Sequence, residues 1–263
     1  MKESFLIIMI VLTTRLCGLY AQDVVSNGRA LNIPFGKYGV SIGNSYRFNG
    51  IRINFADSNV QRINGLNLTL WTKFKSVYNK DATINGISIG VITSLKRMQP
   101  LNIFILGAAG VESLNGISVA GIGIASARIN GLGIGGAMLG GEVINGITVS
   151  GLFSFCENSI NGFNISGLAA LSSGDINGIA AGIAGVYSAG TIRGMAITAG
   201  YLKAGRTMGF TFSGYANINQ VNGLSIAIIN RTKELHGLQI GILNFAGNNR
   251  RGLRLIPIIN LHP

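Results

Sequence analysis

The dipeptide Asn-Gly recurs along this chain at a nearly fixed spacing. From Gly116 to Gly252 a glycine returns at steps of 15, 15, 16, 16, 16, 15, 14, 14 and 15 residues, and most of these glycines follow an asparagine. Earlier in the chain Asn49, Asn64 and Asn85 precede glycines in the same way. A period this short predicts an array of one small structural unit rather than a domain with a unique core.

Each unit alternates bulky and small residues as a β-strand does. After Gly146, Ile147 and Val149 alternate with Thr148 and Ser150, which is the period of a strand and not of a helix. Counted from the glycine, bulky apolar residues lie two positions before it and one, three and often six positions after it. We expect these bulky residues to form an inward-facing stripe, so that Ile165→Asp would bury an unpaired charge and prevent folding.

Two all-β architectures satisfy this pattern. In the first, each unit is one coil of a single β-solenoid of about fourteen coils of about 15 residues with capped ends, in which equivalent residues stack and the asparagines form an amide ladder. In the alternative, Asn-Gly is a two-residue hairpin turn and the units are strands of a closed antiparallel β-barrel, which could lie in an outer membrane. We favour the solenoid because every unit resembles its neighbour, whereas short turns and long loops alternate in such a barrel.

The two ends of the chain differ from the repeats. The apolar run Phe5 to Leu12 behind Lys2 is typical of a secretory signal peptide, with Ala21 as the cleavage position. The chain is therefore divided into a signal peptide at 1–21, an N-terminal cap at 22–48, a repeat array at 49–249 with an insertion at 72–83, and a C-terminal cap at 250–263.

Composition limits the chemistry that the chain can perform. Charged residues make up 11% of the chain and the net charge is +12, and Cys156 is the one cysteine left after cleavage of the signal peptide. The nine acidic residues are spread about one per unit beside the turns, and neither His236 nor His262 has a cysteine or carboxylate at ligand spacing. We therefore expect no catalytic residues, no metal site and no cofactor.

The insertion supplies the best candidate for an interaction patch, because insertions in repeat arrays map to loops on one face, which is often the binding face. Its basic and aromatic residues are Lys73, Phe74, Lys75, Tyr78 and Lys80. The partner is unknown: an envelope component, a polysaccharide or another protein is compatible with the pattern, membrane association stays open, and no nucleic acid is expected.

The segment Gly237-Leu-Gln-Ile-Gly-Ile-Leu-Asn244 resembles the unit of bacterial surface-repeat proteins built from Gly-Leu-Gln-Ile-Gly-Leu-x-Asn. The resemblance covers most of residues 49–260, although the middle units replace the glutamine by Ser, Thr, Asn or Ala. It implies an exported protein of the periplasm, outer membrane or cell surface, with a structural or interaction role and no catalysis. The alternative function is that of an outer-membrane β-barrel that binds or passes a small solute.

Overall fold

A computed structural model of the protein describes residues 29–72 and 82–262. Within these ranges the chain is a β-solenoid of stacked parallel coils, with about 11 turns and no α-helix. The repeat predicts the solenoid but overcounts its coils. One reason is that the last repeat does not coil, because Gly252 lies in a 3-10 helix, Arg251–Leu253, and the following strand turns back.

The chain divides into two compact units, Met1–Ile117 and Ser118–Pro263. The strands that begin in the first unit are β1 Ala30–Phe35, β2 Tyr38–Gly43, β3 Arg47–Asp57, β4 Arg62–Thr72, β5 Thr83–Thr93 and β6 Arg97–Ala120. The strands of the second unit are β7 Gly123–Gly135, β8 Met138–Ser150, β9 Phe153–Ser166, β10 Ala169–Ser172, β11 Asp175–Gly182, β12 Gly185–Ile197, β13 Tyr201–Ala246 and β14 Leu255–His262.

In the first unit the strands follow one another in sequence order, and all pairs from β2 to β6 are parallel. The corner positions align, with Gly50 beside Gly65, Gly65 beside Gly86, and Gly86 beside Pro100. At the N-terminal edge β1 pairs antiparallel with β2, inside the segment 22–48 that was expected to be a cap. The expected signal peptide at 1–21 lies outside the described residues.

The second unit repeats this arrangement. The corner glycines align in the order Gly131, Gly146, Gly162, Gly178, Gly194 and Gly209, always between parallel strands. At its C-terminal edge β14 pairs antiparallel with β13. The alternative of a closed antiparallel barrel is therefore wrong, because the strands that carry the repeats pair in parallel and each coil stacks on the preceding one.

Glycine is required at the corner because neighbouring coils approach closely there. Gly162 has a φ of +121°, a conformation that L side chains rarely adopt. A Cβ at this position would lie 2.2 Å from the carbonyl oxygen of Gly146 in the preceding coil. The Asn-Gly pair thus turns the chain from one side of the coil to the next instead of reversing it in a hairpin.

The expected inward stripe is partly wrong. Ile144, two positions before its glycine, is fully buried as predicted, but Ile147 is 48% exposed while Thr148 is 1% exposed. The reason is that the inward and outward alternation continues through the corner. The residues two positions before the glycine, and two and four positions after it, therefore all face inward. The sequence prediction placed the residues two before, one after and three after the glycine on the inside together. That would require the inward and outward alternation to shift by one residue at Asn-Gly, and no such shift occurs.

The interior of the second unit is consequently lined by small polar side chains as well as aliphatic ones. The Ser154 hydroxyl donates to Asn164 Oδ1 at 2.7 Å and lies 2.7 Å from the Ser166 hydroxyl, across the inside of the coil. Thr211 donates to Ser225 in the next coil at 3.0 Å. Buried polar groups are stable when they are hydrogen-bonded in this way, and the bulky residues of the same strands are left on the outside.

Candidate functional site

The patch predicted from the sequence lies outside the described residues. Lys73, Phe74, Lys75, Tyr78 and Lys80 all belong to the segment between β4 and β5, of which the described chain ends at 72 and resumes at 82. Their role as an interaction patch therefore stays a prediction.

The structure places a different surface on the outside of the coils, which we call the aliphatic face. It consists of the side chains one and three positions after each corner residue, which point outward because the positions between them point inward. In the second unit, between Gly131 and Gly241, they are Leu132, Ile134, Ile147, Val149, Phe163, Ile165, Ile179, Ala181, Met195, Ile197, Phe210, Phe212, Leu224, Ile226, Leu238 and Ile240.

Every member of this face is apolar. Six of the sixteen are exposed, namely Ile147, Val149, Phe163, Ile165, Ile197 and Phe212, and the other ten are half-buried. Soluble monomers rarely expose contiguous apolar patches larger than a few hundred Å², and larger patches mark sites of interaction. The alternation of bulky and small residues that builds this face is visible in the sequence. Whether the bulky residues point inward or outward depends on how the backbone passes the corner.

The first unit carries its own aliphatic face. Its members are Ile51, Ile53, Leu66, Leu68, Ile87, Ile89, Leu101 and Ile103. Beside them is an open apolar cavity of about 410 Å³, lined among others by Phe55, Leu70 and Ile105. Phe55 and Ile105 are among the most exposed apolar residues of the unit.

The predicted amide ladder is confirmed in part of each unit, at the asparagine before the corner glycine. In the second unit Asn145, Asn161 and Asn177 each donate from Nδ2 to Oδ1 of the asparagine one coil earlier, at 2.8 Å. The ladder ends at Arg193, whose Nη1 donates to Asn177 Oδ1 at 3.1 Å. In the first unit Asn64 and Asn85 continue the same pattern from Asn49, and Gln99 donates to Asn85 Oδ1 at 2.9 Å.

A third side of the second unit presents aromatic residues. The rings of Tyr201 and Tyr215 stack with centroids 5.5 Å apart. Lys203 Nζ lies 5.5 Å from the centroid of the Tyr187 ring. By strand register Tyr187 stacks in the column of Phe155 and Tyr201 in the column of Phe153, so these tyrosines lie on a side other than the aliphatic face.

The first unit also contains a buried ion pair that sequence reasoning missed. Arg52 Nη1 donates to Asp57 Oδ1 at 2.6 Å and to Asn67 Oδ1 at 2.7 Å, while Arg52 Nη2 donates to Asn44 Oδ1 at 3.0 Å. Arg52 lies two positions after its corner glycine, the position that Thr148 occupies in its own coil. This position relative to the glycine is the sequence feature that could have predicted a charged side chain inside the coil.

The remaining titratable groups are scattered. Cys156 is buried with Sγ 3.0 Å from the Ser159 carbonyl oxygen, and burial raises the pKa of its thiol. The hydrogen bond from Arg193, followed by that from the Thr191 N–H, lowers the pKa of Asp175 below its usual range. The rings of His236 and His262 meet edge to face with centroids 5.8 Å apart. Among the described residues no group of three or more His, Cys, Asp or Glu side chains is placed to hold a metal ion.

Comparison of the chain with protein-family models, with curated proteins and with solved structures found no significant match. In residues 29–72 and 82–262, no helix has the length and apolar character needed to cross a membrane.

Proposed function

We propose that the protein is an exported cell-envelope or surface protein with a structural or interaction role and without catalytic activity. The observation that carries the proposal is the aliphatic face: in each unit the columns that follow the corner glycine are apolar throughout and point outward. An exposed apolar surface of this extent is suited to association with another apolar surface.

The resemblance of Gly237–Asn244 to bacterial surface repeats and the leader-like residues 1–21 support export. The regular coil supports a structural role, because a repeat array presents extended surfaces whose members are spaced evenly along the stack. The scattered carboxylates support the absence of catalysis, because acid–base pairs act from one cleft.

Cell fractionation tests the proposal. A C-terminally tagged copy expressed in a Gram-negative host is expected in the envelope fractions as a chain shortened by about the length of the leader. A matched copy without residues 1–21 is the control, and it is expected to stay in the cytosol. Recovery of the full-length tagged chain from the cytosol at its unprocessed mass would contradict the proposal.

A further inference from the structure

We propose that the aliphatic face of the second unit is the interface of a homodimer, in which two copies of the chain pack these faces against each other. The inference rests on the proposed interaction role and names the partner as a second copy. Four observations on this face support that choice: its area, its regularity, its lack of charge and its lack of tyrosine and tryptophan.

The area reaches the minimum for a biological interface. Eight corner glycines, from Gly131 to Gly237, have positive φ in this unit. With about 4.8 Å between coils the face is roughly 38 Å long, and four residue steps of about 3.3 Å make it about 13 Å wide. Its plane then measures about 500 Å² per copy, or about 1,000 Å² for two, which is the lower limit of the size expected of a biological interface.

The regularity of the face makes it complementary to itself. Its two columns repeat at the strand spacing, so a second copy offers ridges and grooves of the same period. Flat sheet faces pack in this way in β-sandwiches, with interdigitated side chains about 10 Å apart. A two-fold axis across the face would bury the same residues from both copies.

Charge does not oppose the contact. The net charge is +12, but no outward position of this face carries a charged side chain. Arg193 and Lys203 lie elsewhere on their coils, at the corner ladder and on the tyrosine-bearing side. Two copies can therefore meet without desolvating a cation.

The composition favours a protein partner over a lipid surface. Membrane-interface surfaces are enriched in Trp, Tyr and basic residues at the level of the headgroups. The aromatic members of this face are Phe163, Phe210 and Phe212, while Tyr187, Tyr201 and Tyr215 lie on another side.

The test compares two aspartate variants of the mature chain. Ile165 lies on the face and is 49% exposed, and Phe155 is 43% exposed. The inward neighbours of these two residues, Ser166 and Ser154, meet across the coil interior, so Ile165 and Phe155 point outward on opposite sides. Both variants are expected to fold, as judged by circular dichroism, because neither buries the new charge inside the coil. For Ile165→Asp this replaces the expectation from the sequence, which placed Ile165 inward, whereas its side chain is 49% exposed.

Sedimentation equilibrium is expected to give twice the chain mass for the wild type and for Phe155→Asp. Ile165→Asp is expected to raise the dimer dissociation constant about 100-fold or more, because two carboxylates would meet in the interface. A second measurement covers the case in which Ile165→Asp does not fold. In a Cys156→Ser background, the thiol of Ile165→Cys should become less reactive as protein concentration rises, and that of Phe155→Cys should not.

A wild type that stays monomeric at every concentration, or equal effects of the two aspartate variants, would overturn the dimer. Binding of a monomeric wild type to anionic lipid vesicles that is lost in Ile165→Asp would also overturn it and would assign the face to a membrane. These results are distinguishable from failure of the proposed function: a monomer in the envelope contradicts only the dimer, and a dimer in the cytosol contradicts only the envelope role.

Discussion

Removal of the Asp57 carboxylate is expected to destabilise the protein strongly. Asp57 and Arg52 form an ion pair at 2.6 Å with both side chains 0% exposed. In Asp57→Ala the guanidinium keeps Asn67 and Asn44 as acceptors, but its charge loses the one carboxylate beside it. Breaking a buried ion pair by removing one partner typically costs about 3–5 kcal/mol, because an uncompensated charge is left inside.

The chain contains a matched control in its second unit. Arg193 and Asp175 form an ion pair of nearly equal length, 2.7 Å, with side chains 49% and 38% exposed. Exposed pairs contribute about 0.2–1 kcal/mol because water screens them. Asp175→Ala should therefore lower the free energy of unfolding several-fold less than Asp57→Ala.

Urea unfolding followed by circular dichroism measures both variants. Burial of the ion pair, and not the pairing itself, is expected to set the loss in free energy of unfolding. Equal losses for the two variants, or a loss below about 1 kcal/mol for Asp57→Ala, would refute it. The double variant Arg52→Met/Asp57→Leu should recover part of the lost stability, since it removes the unpaired charge but leaves Asn67 and Asn54 without these hydrogen-bond partners.

Three further results follow from the second unit. Asn145→Ala should lower the free energy of unfolding by about 1–3 kcal/mol, because its two ladder neighbours each lose a hydrogen-bond partner. Asn222→Ala should lower it less, since Asn222 Oδ1 has no hydrogen-bond partner. Urea titration of both variants compares the two losses. Gly162→Ala should lower the thermal midpoint sharply, because its Cβ would collide with the Gly146 carbonyl oxygen, and an unchanged midpoint would contradict the corner geometry. The Cys156 thiol should react with a disulfide reagent only on unfolding, since burial raises its pKa; fast reaction of the folded chain would contradict its placement.

The sequence was sufficient to predict the solenoid because the period is a property of the backbone path. A residue that returns every coil must lie beside its equivalent, and the amide ladder from Asn145 to Asn177 follows from the same stacking. The direction of the side chains was not predictable in this way. It depends on how the backbone passes the corner, and a glycine such as Gly162 can in principle keep or reverse the phase of the alternation.

The direction of the alternating side chains also determines which surface is available to a partner. Had Ile165 pointed inward, the outside would have been polar, with Asn164 and Ser166 as its exposed neighbours. The sequence favours the basic and aromatic insertion at 72–83 as a site because insertions in repeat arrays lie in loops on one face. It does not indicate the aliphatic face, because the residues one and three positions after each corner glycine are predicted to point inward.

The claim on which the account depends is that consecutive repeats stack in parallel with the same residues outward. Spin labels placed at Ile147 and Phe163, each one position after a corner glycine, test it most directly. The account predicts strong dipolar broadening, because adjacent coils place these two backbones about 4.8 Å apart. Sharp spectra, with a separation of roughly 40 Å or more as expected for the two ends of a 15-residue antiparallel strand, would contradict it.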